Sequence, residues 1–309
     1  MDCSVIITTA NEYPKVCFAA QSAMVELEGQ FDFEVVVVDN LSTDETKDHF
    51  MATKERKLKY IQYNDKQSHW CAKNHGIKNS KGKYVFFLDA HCILGKDSLK
   101  HMIEFLESKE KAGEKVGAIH SYHNAIMKLQ PKEYELKFGK FAYRFMTAQS
   151  ILRGKTEPYA IGVATTDGMM VPRKVFDELG MWHPEFGIRA GGEAYMNFKQ
   201  STCGYQHYMH PKANFYHFKA PHYKYKTVYS DWARNNFIAA YTCGGEEWLD
   251  YIYKVYVGGK KIVKEIGDEF YSDVKVKCKE EMEFIKSKQV ISLTDYFKKW
   301  SLHLDGDGI

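Results

Sequence analysis

Phe33-Glu-Val-Val-Val-Val-Asp39 runs straight into Asn40-Leu-Ser-Thr-Asp-Glu45. The apolar run reads as a buried strand, and Ser42 with Glu45 reads as a capping box opening a helix that reaches about Lys57. Upstream, Cys3-Ser-Val-Ile-Ile-Thr-Thr9 is a second buried strand, and Pro14 to Glu28 a helix opened by proline. Downstream, Lys59 to Tyr63 is strand-like, Ser68 to Asn79 helical, and Lys83-Tyr-Val-Phe-Phe-Leu88 a strand ending at Asp89. Short apolar runs alternating with amphipathic ones predict βαβ units, hence an α/β protein with a mainly parallel sheet covered by helices. Ligands of such sheets bind outside the carboxyl ends of the strands, where Thr8, Thr9, Asp39 and Asp89 fall.

Composition supports a folded chain. The 309 residues are 44% hydrophobic and 15% aromatic, enough for a sizeable core. Lys and Arg number 43 against 40 Asp and Glu, and a net charge of +3 does not argue for polyanion binding by the whole surface. Seven scattered cysteines without a CxxC pair suit reduced thiols. The chain has no long apolar run, and its first strand begins by Ser4, so the expectation is a cytoplasmic protein, in the host cytoplasm if viral, with no membrane partner.

Further on, Thr165 to Pro172 reads as a strand, Arg173 to Leu179 as a short helix, and Gly191-Gly192-Glu193 as the start of another. From about Lys226 the pattern is helical to the end. This places a catalytic unit at 1–225 and a helical appendage at 226–309, without an independent second core.

Three segments carry chemistry. Asp89 and His91, two residues apart in extended geometry, point the same way and can share a metal ion; the bland alternative is a strand-ending Asp beside an ordinary His. In Arg189-Ala-Gly-Gly-Glu193, paired glycines permit close backbone approach and a helix N-terminus favours an ionised Glu193. From Ala194 to Ser230 there is no Asp or Glu, but five lysines and four histidines are interleaved with aromatics. That tract reads either as a cationic strip for diphosphate or nucleic acid, or as a solvated basic loop with its aromatics packed inward.

In this order the motifs resemble GT-A glycosyltransferases of the family 2 type, most closely the polypeptide N-acetylgalactosaminyltransferase branch. Ser4 to Glu12 resembles the strand whose end meets the nucleotide, and Val35 to Asp44 the one whose Asp binds the base. Lys73-Asn74 with Gly76, then Leu88-Asp-Ala-His91, is similar to the approach to the metal motif. Thr166-Asp-Gly-Met-Met-Val171 resembles the donor-sugar strand, Gly191-Gly-Glu193 the acidic motif beside the sugar, and Phe215-Tyr-His-Phe-Lys219 the strand with a third metal ligand. The resemblance implies a GT-A, Rossmann-like fold over about residues 3 to 225. It further implies Mn²⁺ or Mg²⁺ held by Asp89, His91 and His217, and a UDP-sugar donor. Thr8, Thr9, Glu12, Asp39, Lys73, Asn74, Asp89, Gly168, Gly192, Lys219 and His222 would bind that nucleotide sugar, and Glu193 would act in catalysis.

Two departures bear on mechanism. Ala190 replaces the tryptophan that commonly precedes the motif, and Ala194 stands where inverting family 2 enzymes commonly carry a second acid; the branch implies retention. The acceptor stays open: a hydroxymethylated pyrimidine in DNA, as in phage-type DNA modification and favoured by the acid-free tract, a protein Ser/Thr, or a glycan. A non-catalytic sugar- or nucleic-acid-binding protein on the same scaffold is the rival, and a full metal set argues against it.

Overall fold

The computed structural model describes residues 1–127, 130–133, 155–188, 190–218 and 229–302. Four strands open the chain: β1 (Cys3–Thr9), β2 (Phe33–Asp39), β3 (Leu58–Gln62) and β4 (Tyr84–Asp89). They alternate with α1 (Lys15–Leu27), α2 (Thr46–Ala52) and α3 (His69–Lys78). After β5 (Cys92–Leu94) come α4 (Ser98–Lys111), β6 (Val116–Met127), β7 (Gln130–Glu133), β8 (Tyr159–Ile161) and β9 (Met169–Pro172). Then follow α5 (Arg173–Leu179), α6 (Gly192–Thr202), β10 (Gln206–Phe218) and the helices α7 (Tyr229–Tyr253), α8 (Lys264–Lys277), α9 (Lys279–Lys288) and α10 (Leu293–Trp300). A short π-helical stretch, Lys254–Gly258, follows α7, which is itself broken at Gly245.

The strands form one sheet in the order β3-β2-β1-β4-β9-β6-β10-β5, with β7 on β6 and β8 on β10. The expected parallel unit is β3-β2-β1-β4, and β6 also pairs with β10 in parallel. The sheet as a whole is mixed, because β9 runs antiparallel between β4 and β6 and β5 pairs antiparallel with β10. Register places Thr8 opposite Asp89 and Thr9 opposite Asp39, so three strand ends meet at one edge.

Alternating side chains feed two cores. Val5, Ile7, Val35, Val37, Phe86 and Leu88 pack against α1 and α4. Ile6, Val36, Val38, Val85 and Phe87 share the other core with α3, α5, α6 and the C-terminal helices, through residues such as Phe237, Leu249, Ile285 and Tyr296. The helical segment thus packs on the sheet's own core; position 225, the expected boundary, lies outside the described residues.

Local chemistry moves one helix start. Ser42 does not cap; its hydroxyl accepts from the Asn11 amide at 2.9 Å. Asp44 instead accepts from the Thr46 amide and hydroxyl, so α2 starts at Thr46 and stops at Ala52, short of Lys57. The Asn11 carboxamide also accepts from the amides of Thr43 and Asp44, tying the loop after β1 to the loop after β2. By contrast, Ser68 caps α3 through the Cys71 amide, and α3 keeps the expected bounds to within a residue. All seven cysteines are unpaired thiols, and no helix among the described residues is long and apolar enough to cross a membrane.

Candidate active site

The strand ends of β1 and β4 open onto a cleft lined by Thr8, Thr9, Glu12, Asn40, His69, Asp89 and His91 among others. Asp89 ends β4 and His91 follows across a tight turn; His217 comes from β10, whose Phe218 amide donates to the His91 carbonyl at 3.0 Å. One ligand atom from each of Asp89, His91 and His217 lies within 4.8 Å of the others. The Nε2 atoms of His91 and His217 are 3.0 Å apart. An octahedral cation with bonds of about 2.1 Å sets neighbouring ligands about 3.0 Å apart, so the pair fits a divalent ion. The buried Asp89 Oδ1 has no hydrogen-bond partner, as a carboxylate aimed at a cation would not.

Glu12 accounts for the orientation of His91. Its carboxylate lies 2.6 Å from Nδ1, which fixes the proton on Nδ1 and leaves Nε2 as the open lone pair. Burial works against a charged His91 ring, but Glu12 and then Asp89 overcome it and raise its pKa. For Asp89 burial acts to raise the carboxyl, and Lys73 first, then the neighbouring imidazoles of His69, His91 and His217, hold it well below the usual carboxylate range. Lys73 is fully buried under the site, its Nζ 3.9 Å from Asp89 Oδ1. His69 bonds Thr8 Oγ1 through Nδ1 at 3.2 Å and reaches Asp89 through Nε2 at 3.9 Å.

Asp167 joins the site although the sequence marks Thr166-Asp-Gly168 only as part of the donor strand. It accepts from the Asp89 amide at 3.0 Å and from the Cys92 thiol at 3.4 Å. Burial, then the neighbouring Asp89 charge, pushes its carboxyl up to about 7. The signal in the sequence is an acid just ahead of a strand, but only the antiparallel placement of β9 beside β4 brings it to Asp89. Gly168 has φ +72°, and a Cβ there would stand 2.3 Å from the Phe215 ring.

Other expected residues are engaged within the protein. Asp39 is buried, accepting from the Tyr60 hydroxyl at 2.6 Å and the Ser42 amide at 2.9 Å. The Asn74 carboxamide exchanges two hydrogen bonds with the Trp182 backbone. Gly192 admits Trp70: a Cβ would stand 2.3 Å from its indole. Glu193 is half-buried in the first turn of α6, outside the residues lining the cleft. Lys219 and His222, with Arg189, lie outside the described residues.

The acid-free tract is not a cationic surface over its described part. Lys199, His207 and His210 are buried, and so are Tyr205 and Phe215. The helix that carries Lys199, α6, is covered by the sheet on one side and by the C-terminal helices on the other, which turns its polar groups inward. Lys199 meets Glu281 of α9 at 3.1 Å and the Tyr195 hydroxyl at 3.0 Å. Lys212 is exposed.

A parallel strand edge that presents an Asp-x-His pair beside a second histidine, backed by an antiparallel return strand, is the arrangement of a GT-A fold, with three side chains grouped as a cation would require. The chain belongs to glycosyl transferase family 2, whose model matches residues 4–180, more than half of its length. It is 29% identical over 133 residues to an uncharacterized glycosyltransferase of Rickettsia conorii, covering 40% of this chain and 22% of that protein. Over 99 residues it is 32% identical to the amylovoran biosynthesis glycosyltransferase AmsB of Erwinia amylovora, covering 31% of this chain and 33% of that one. The chain therefore spans a third or less of the curated relatives it matches. In structure it is similar to GalNAc-T7, solved with UDP, GalNAc and Mn²⁺, with TM-score 0.76 and 17% identity over 97% of this chain and 56% of that one. It is also similar to S. aureus TarS residues 1–349 in complex with UDP-GlcNAc, with TM-score 0.59 and 13% identity over 97% and 91% of the two chains.

Proposed function

We propose that this chain is a metal-dependent glycosyltransferase that moves a sugar from a UDP-sugar to an acceptor hydroxyl with retention of configuration. The observation that carries the reading is the convergence of Asp89, His91 and His217 within 4.8 Å beside a cleft at the strand ends. The UDP-containing complexes of GalNAc-T7 and TarS support the donor class, and the Mn²⁺ of the former supports the cation. A divalent ion bound there would neutralise charge developing on the departing diphosphate.

The chain's own groups do the rest. Glu12 holds the His91 ring with Nε2 outward, Asp167 fixes the Asp89 backbone, and buried Lys73 sets its Nζ 3.9 Å from the carboxylate. Glu193, at the start of α6, orients the sugar or the acceptor hydroxyl. Retention is supported by Ala194, a buried methyl where an inverting enzyme would carry a second acid.

For the acceptor we favour a glycan hydroxyl, on the strength of the amylovoran relative. The DNA reading rests on the acid-free tract, and inward burial of Lys199, His207 and His210 removes its support over those described residues. Purified protein with Mn²⁺ should slowly hydrolyse a UDP-sugar, releasing the α-anomer seen by NMR, and Asp89→Ala should abolish it. Undiminished hydrolysis in the variant would overturn the metal assignment. Label transfer to oligosaccharides, Ser/Thr peptides and hydroxymethylpyrimidine DNA then identifies the acceptor; incorporation into DNA alone would replace the glycan by a modified base.

A further inference from the structure

The ligand atoms of Cys92, Asp167 and His217 also lie within 4.8 Å of one another, next to the group already described. Three separate elements build this trio. Cys92 opens β5 and stands directly opposite His217 in the antiparallel β5–β10 ladder, so the two side chains leave the same face of the sheet. Asp167 arrives from the segment ahead of β9.

We infer that Cys92, Asp167 and His217 form a second cation position, suited to a thiophilic divalent ion such as Zn²⁺, that shares His217 with the first. The inference deepens the proposed function and rests on it for the role of His217. Tetrahedral zinc with bonds of about 2.3 Å to sulfur and about 2.0 Å to oxygen places those two atoms about 3.5 Å apart. Cys92 Sγ and Asp167 Oδ2 are 3.4 Å apart. The donor types agree as well: a thiolate beside an imidazole and a carboxylate favours Zn²⁺ over Mn²⁺, whereas two imidazoles and a carboxylate bind either ion. His123 adds a further nitrogen at the margin. Its ring centroid is 4.6 Å from that of His217, and its buried Nε2 has no hydrogen-bond partner.

Binding replaces the Cys92 S–H by an S–metal bond and releases the proton to solvent. Both positions draw on the one His217 ring, whose Nε2 faces His91, so a cation held by Cys92 and Asp167 competes for or reorients that ring. A thiophilic ion drawing on His217 would disturb the Asp89–His91 side, so part of this chain's response to zinc should depend on Cys92 and Asp167.

The test uses Co²⁺ as a spectroscopic stand-in, added to the full chain under reducing, oxygen-free conditions. Wild-type protein should show the near-ultraviolet sulfur-to-cobalt charge-transfer band. Cys92→Ser should lose it, and Asp89→Ala, which removes only the first position, should keep it. Absence of the band in wild type, or its survival in Cys92→Ser, overturns the inference. Zn²⁺ should also displace Mn²⁺ from wild type, read from the paramagnetic resonance signal of free Mn²⁺, and Cys92→Ser or Asp167→Asn should raise the Zn²⁺ concentration required at least tenfold. An unchanged requirement in variants whose circular dichroism shows them folded overturns it equally. Failure of the underlying reading has a different signature: Mn²⁺ affinity that is indifferent to Asp89→Ala.

Discussion

His91 Nδ1 sits 2.6 Å from a carboxylate oxygen of Glu12, and this contact joins the loop after the first strand to the turn after the fourth. Because the proton it fixes on Nδ1 leaves Nε2 facing His217, Glu12 tunes the site without having to touch a cation. Glu12→Gln keeps a hydrogen-bonding group but removes the charge. Outer carboxylates of this kind are worth about 10–100-fold in metal affinity. Mn²⁺ titration followed by water-proton relaxation should show a loss in that range, and an affinity equal to wild type would dismiss the supporting role.

Gly192 begins α6 one residue before Glu193, with the Trp70 indole where a side chain would go. An added Cβ would lie 2.3 Å from that ring, which is held in turn by Trp182, 5.7 Å away centroid to centroid. The Trp182 Nε1–H donates to the Gly192 carbonyl at 2.9 Å, so neither the ring pair nor the helix start can shift alone. Gly192→Ala should cost about 1–3 kcal/mol, the usual range for overpacking. The check is the urea midpoint at unchanged m-value. Movement of Glu193 should lower kcat more than it raises KM.

Much of this site is legible in the sequence. β1, β2 and β4 stand out because uninterrupted apolar runs need two covered faces, and Asp89 because it ends one; His91 does join it, but across the turn at Ala90–His91 and not by the extended geometry expected of the pair. His217 comes only with the family resemblance, since nothing local marks one histidine among four. Asp167 and His69 escape sequence reasoning for the same reason: their partners are set by strand order, not by spacing along the chain. Within the described part of the acid-free tract, counting charges takes no account of direction. Lys199 looks like a surface charge in sequence, yet α6 is covered on both sides and turns it onto Glu281.

His120 and His207 make the protein sensitive to acid. Their rings stack with centroids 5.4 Å apart, joined by a 3.2 Å hydrogen bond from His207 Nδ1 to His120 Nε2, while His120 Nδ1 donates to the Thr165 carbonyl. Burial pushes His120 down to about 3, and burial with the neighbouring His120 pushes His207 well below its ordinary value. Between about pH 6.5 and these lowered values the unfolded chain binds more protons than the folded one. Stability is therefore full above pH 6.5 and falls with pH, by about 1.4 kcal/mol per unit for each ring. His207→Phe removes one ring, and the slope of unfolding free energy against pH between 6 and 4 should drop by about that amount. An unaltered slope would mean that these rings do not govern acid unfolding.

Lys199 and Glu281 determine whether the C-terminal helices act as a separate unit. The Lys199 side chain has no exposed surface, and its ammonium meets Glu281 at 3.1 Å and the Met181 carbonyl at 2.6 Å; Tyr195 also donates to Glu281. Burial lowers the Lys199 pKa and Glu281 opposes the shift, so the lysine's charge depends on a residue from α9. Removing Glu281 strands that charge beneath the sheet. Glu281→Ala should cost about 3–5 kcal/mol, whereas Lys199→Met combined with Glu281→Leu should recover most of the loss, since a buried pair replaced by apolar groups is often neutral. A double-mutant cycle in urea measures the coupling. If α7–α10 formed an independent unit, Glu281→Ala would split unfolding into two transitions; with one shared core, a single transition should move to lower urea. Because α6 also carries Glu193, the same variant should slow sugar transfer at temperatures where the fold persists, and the double variant should restore it.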